Sequence, residues 1–183
     1  MRILQLLAEK EPSILEVWLN YVFADFKPEA LRFLRGPDRF ANPLGQGYSE
    51  GLRQIYQVLR SEEPGDMGAV VEHLMKLRAV QVELAPSQAL AFLFELKRII
   101  RQECRKEWSP ALEQEWPELE ARVDRLALQG FDKYMASRER LYQVRIRELK
   151  SGRHILTDHA KCPSALVRED LNRKQQAEND GQP

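Results

Sequence analysis

Net charge is missing from this sequence. Lys and Arg number 28 and Asp and Glu also number 28, so no global field draws the chain to nucleic acid, anionic lipid or an acidic substrate. No nucleic-acid partner is expected. Long apolar runs are missing too: nowhere do 18 apolar residues follow one another, so no membrane insertion is expected. Glu9, Lys10 and Glu11 interrupt the apolar patch after Arg2 well short of a signal-peptide core, and no small-residue cleavage site follows. Cysteine is sparse. Cys104 and Cys162 lie far apart with no CxxC spacing, which gives no disulfide framework and fits a reducing compartment. The expected location is the cytoplasm.

Chemistry-bearing patterns are equally thin. The nucleophile elbow GxSxG, the zinc motif HExxH, the phosphate loop GxxxxGK and the dinucleotide fingerprint GxGxxG do not occur. Histidine is limited to His73, His154 and His159. The last two flank Asp158 in a weakly patterned stretch where a rigid metal site is hard to build, so neither metal nor cofactor is expected. No nucleophile-and-base set or carboxylate pair converges on a helical core, and an enzyme is not expected. Strand signals are also missing: there is no clean alternating run and no Asn-Gly or Asp-Gly hairpin turn.

What is present is helical spacing. Apolar residues recur at three- and four-residue steps through most of the chain, which predicts an all-α bundle of six or seven helices. Residues 2–9 predict a short helix that Pro12 breaks, followed by a second helix with Ser13 and Glu16 as a capping box. Pro28 opens a further helix, and Asn42 is placed to cap another with Pro43 as its first residue. Gly45, Gly47 and Gly51 near that start suggest another backbone packed closely against it. Asp66 is placed to cap a helix with a stripe of Met67, Val70, Val71, Leu74, Leu77 and Val80. Ser87 should cap the most apolar element, QALAFLFELKRIIRQE, which predicts a central helix surrounded by the others.

The longest element organises the rest. From Trp116 to about Lys150 one helix of roughly 30 residues is predicted, about 45 Å long, with Glu crowding its start and Arg its end as the helix dipole favours. Its apolar stripe outruns what one small body can cover. The second half is therefore expected to meet another copy, with Tyr134, Leu141, Tyr142 and Leu149 as the candidate dimer interface. Residues 1–150 read as the domain. Residues 151–183 read as a polar tail, largely flexible by composition.

Aromatic residues offer the one hint of a ligand pocket. Trp18, Tyr21, Phe33, Phe40, Tyr48, Tyr56, Phe92, Phe94, Phe131 and Tyr134 all fall on predicted core faces. From these, Trp18, Tyr56, Phe92, Phe94 and Phe131, with His73 as a ligand for a planar cofactor, are the pocket candidates.

Several blocks carry a family resemblance: PSILEVWLNYV near the start, DRFANPLG at 38–45, LRAVQ, PSQALAFLFELKRIIRQE and FDKYMASRERLYQVRIRELK. Together they resemble the N-terminal domain of the RsbRD-type co-antagonists of RsbT, the sensor domains of the bacterial stressosome, over about residues 3 to 150. The resemblance implies a globin-like helical fold without haem, dimeric through its last helix and without catalytic chemistry. In that family the last helix leads into a STAS domain. Residues 151–183 are too few for one, which points to a stand-alone sensor or adaptor acting through an unidentified regulatory protein. The alternative expectation is a globin-like protein holding haem or a fatty acid in its helical core.

Overall fold

The computed structural model describes residues 2–36, 42–63 and 65–151. Phe40, Cys162, His154, His159 and the expected tail lie outside them. The described residues form six α-helices and no strand: α1 (Ile3–Phe23), α2 (Pro28–Leu34), α3 (Pro43–Leu59), α4 (Met67–Ala79), α5 (Pro86–Glu103) and α6 (Pro110–Ser151). The residues up to Leu141 make one compact unit, in which α3 packs on α4 and α1 packs on both α3 and α5. The residues from Tyr142 on belong to a second unit, of which the end of α6 is described.

The break expected at Pro12 does not occur. Proline inside a helix removes one backbone bond and costs about 3 kcal/mol. Against that, Ile3, Leu6, Leu7, Ile14, Trp18 and Val22 form one buried stripe across both halves of α1. Each such side chain contributes about 1.5–3 kcal/mol on burial, so the continuous helix wins. Ser13 does not cap; its hydroxyl donates back to Lys10 O at 3.1 Å.

Asn42 does cap α3, and it does more. Its Oδ1 accepts from Gly45 N at 2.9 Å, while its Nδ2 donates to Leu34 O at 2.7 Å and to Gly36 O at 3.1 Å. The end of α2 is thereby tied to the start of α3. A Cβ at Gly45 would lie 2.1 Å from Leu34 O, and one at Gly51 would lie 2.6 Å from Leu74 Cγ. The close approach that the glycines suggest is made by a backbone carbonyl at Gly45 and by a leucine side chain at Gly51. Gly45→Ala is therefore expected to cost about 3 kcal/mol by overpacking. Gly65→Ala, where nothing lies within 4 Å, should stay within about 0.5 kcal/mol of the parent. Urea midpoints of the two variants check this, and equal midpoints would mean that α2 and α3 separate freely.

Asp66 caps α4, with Oδ1 accepting from Gly68 N at 2.9 Å and Ala69 N at 3.2 Å. The buried stripe of α4 is Met67, Val71, Leu74, Met75, Arg78 and Ala79, while Val80 is exposed. The expected stripe is thus rotated at its C-terminal end. The start of α5 is also shifted: Ala85 stands at the cap position, Pro86 is the first helical residue, and Gln88 Oε1 accepts from Ala85 N at 2.9 Å. Ser87 falls inside the helix. Nor is α5 surrounded. Ala89, Leu90, Phe92, Leu93, Leu96, Ile99 and Ile100 are buried, but Phe94 lies beside that stripe and is 50% exposed.

Helix α6 begins at Pro110, not near Trp116, and continues through Pro117 for 42 residues. Its start is held by Arg101 of α5, which donates to both oxygens of Glu113 at 2.7 and 2.9 Å and stacks 4.5 Å from the ring centroids of Trp108 and Trp116. Leu112, Trp116, Leu119, Val123, Leu126 and Ala127 then continue the buried face. With that anchor and that stripe in place, a second-turn proline is tolerated. Three aromatic residues expected in the core, Phe33, Phe94 and Phe131, are exposed instead. Each sits beside, not on, the buried line of its helix.

Candidate functional site

The exposed aromatic residues of α5 and α6 meet. Phe94 and Phe131, 50% and 44% exposed, line a groove of ≈ 590 Å³ together with Tyr21, Pro86, Ser87, Leu90, Ala91 and Glu95. Burial of Tyr21, reinforced by Glu95 and Asp25, pushes its phenol pKa up. Two half-exposed phenylalanines over a mostly apolar floor make a surface suited to covering by another apolar face.

Further apolar residues continue along α6. Leu128, Met135, Tyr142 and Leu149 recur at every seventh residue, and they are 66%, 43%, 55% and 51% exposed. The first two belong to the unit that ends at Leu141, the last two to the unit that begins at Tyr142. Leu141, Val144 and Ile146 are exposed as well. A seven-residue apolar repeat is the spacing with which one helix meets another.

The sequence-derived pocket candidates do not gather around one cavity. Trp18, Tyr56 and Phe92 are buried and close-packed: the Trp18 and Phe92 ring centroids are 5.9 Å apart, and Trp18 Nε1 donates to Phe92 O at 2.7 Å. Tyr56 donates its hydroxyl to Leu7 O at 2.8 Å, and burial drives its pKa far up. Phe94 and Phe131 line the external groove. His73 is exposed on α4, where a Cβ at Gly47 would meet its Nε2 at 3.3 Å. Among the dimer candidates, Leu141, Tyr142 and Leu149 are exposed, whereas Tyr134 is fully buried in its own body with a hydroxyl that has no hydrogen-bond partner among the described residues. Tyr134 follows Gly130 and Ala127 on the inward face of α6, and that face takes it inside.

Sequence reasoning missed Arg78. It is fully buried on α4, yet it donates through Nε to Ala89 O at 3.2 Å and through Nη2 to Asp25 Oδ2 at 2.6 Å and Gln88 O at 3.1 Å. One side chain thus fastens α4 to the end of α1 and the start of α5. Its carbon Cζ lies 5.5 Å from the Phe92 ring centroid. The clue in the sequence is position: Arg78 falls on the step after Val71 and Leu74, where an apolar residue is due.

A second hollow of ≈ 280 Å³, lined by Arg2, Ile3, Leu4, Glu62, Glu115, Glu118, Leu119 and Arg122, is satisfied from within. Arg2 pairs with Glu62 at 3.0 Å, Glu115 accepts from Ile3 N at 2.9 Å, and Arg122 pairs with Glu118 at 2.7 Å. Among the described residues no group of three or more His, Cys, Asp or Glu is placed to hold a metal ion. Cys104 is buried, and burial pushes its thiol up to about 11, so at neutral pH it is the unreactive thiol. No described helix is long and apolar enough to cross a membrane.

Helix α6 is tied to α4 near the middle of the body. Glu72 bonds Lys76 at 2.7 Å and Lys133 at 3.1 Å, and these two ammonium groups lower its pKa from 4.5 to about 2. Because the folded value is depressed, the tie is fully present above the ordinary carboxylate value and is lost as pH falls toward about 2. A carboxyl-carbon NMR titration should place Glu72 near that low midpoint, and Lys133→Ala should raise it. Titration of Glu72 in the ordinary range would show that the α4 to α6 tie does not form.

The family model described as the RsbT co-antagonist protein rsbRD N-terminal domain matches residues 12–149. No curated protein and no solved structure matches the chain. The matched span runs from within α1 to the last turns of α6 and so takes in the groove, the seven-residue repeat and the core apart from Ile3, Leu6 and Leu7. Covering well over half of the 183 residues, the match shows that the chain belongs to the RsbT co-antagonist RsbRD N-terminal domain family of stressosome-type signalling sensor domains.

Proposed function

We propose that this protein is a non-enzymatic sensor or adaptor of bacterial stress signalling, cytoplasmic, and dimeric through α6. In this reading residues 1–150 are the sensing module, and two copies pair along Leu128, Met135, Tyr142 and Leu149, with Leu141 beside them. A regulatory protein then reads the state of the pair. The observation that carries the reading is the run of exposed apolar residues on α6 at seven-residue spacing. A change in the body would act by shifting the balance between two packings of the helix pair.

The other reading, haem or a fatty acid in the helical core, gains no support from the geometry. Trp18 and Phe92 already fill the space between α1 and α5, and His73 is on the surface.

The test is a double substitution, Tyr142→Asp with Leu149→Asp, measured by light scattering after size-exclusion chromatography and by far-ultraviolet circular dichroism. The parent should have twice the chain mass, and the variant the mass of one chain with unchanged helix content. A parent that runs as a single chain, or a variant that stays paired, would remove the proposal.

A further inference from the structure

No further inference is drawn: the strongest candidate, the apolar groove between α5 and α6 lined by Phe94 and Phe131, belongs to the site already described, and nothing in the structure shows what else would cover it.

Discussion

Trp18→Ala should cost about 3–5 kcal/mol of folding stability, among the largest losses available to a single substitution in this chain. The indole is fully buried between α1 and α5, tilted against Phe92 with its Nε1 donating to the Phe92 carbonyl oxygen. Truncation removes the apolar contact and leaves a cavity that the two helices cannot close without moving Phe92 and, behind it, Arg78. Trp18→Phe separates the contributions. It retains most of the ring volume and gives up the hydrogen bond, so its loss should be about 1–2 kcal/mol. Urea denaturation followed by circular dichroism measures both. If the phenylalanine variant fell as far as the alanine variant, the hydrogen bond and not the packing would be holding α1 to α5.

Arg78→Ala should be comparably severe, at about 3–5 kcal/mol. The substitution removes the side chain that bridges α1, α4 and α5, and leaves a space in the core between Asp25 and the Phe92 ring. Arg78→Met should be far milder. Methionine fills similar volume without a guanidinium to desolvate, and among the described residues Nη1 of Arg78 has no hydrogen-bond partner to lose. Asp25, released from the pair, lies near enough to the surface to regain water. Equal losses for the two variants would mean that the charge, and not the volume, is what the core needs at this position. A methionine variant more stable than the parent would show that burying the guanidinium is a net cost that the fold tolerates.

Much of this architecture is legible in the residues. The three- and four-residue steps of apolar side chains mark α3 and α5, and the short polar residues Asn42 and Asp66 mark helix starts because their oxygens reach backbone N–H groups that have no partner within the helix. Pro12 misleads because local cost is visible in the sequence while the burial that offsets it comes from α3 and α5. Phe94 misleads for a related reason. It sits in a strongly apolar run, and only the positions of α1 and α4 decide which part of that run faces inward. Arg78 stays hidden because charge removes it from any apolar count, although its step along α4 is the one a core residue takes. At the candidate site, spacing identifies Leu141, Tyr142 and Leu149 as outward residues, but the same spacing includes Tyr134, which the inward face of α6 claims. The groove joins residues of α1, α5 and α6, and no stretch of sequence displays it.

The attachments of α1 bear on how the chain is made. Ile3 N donates to Glu115, Lys10 pairs with Glu107, and Trp18 reaches Phe92, so α1, which α3 reaches sooner through Tyr56, completes its contacts only after α5 and the start of α6 have been synthesised. Contacts so distant in sequence delay folding, because the intervening chain must be ordered before they form. During translation the part of the buried stripe of α1 that α3 does not cover therefore stays open until α5 and the start of α6 emerge, and protecting it from other nascent chains falls to the speed of synthesis and to chaperones.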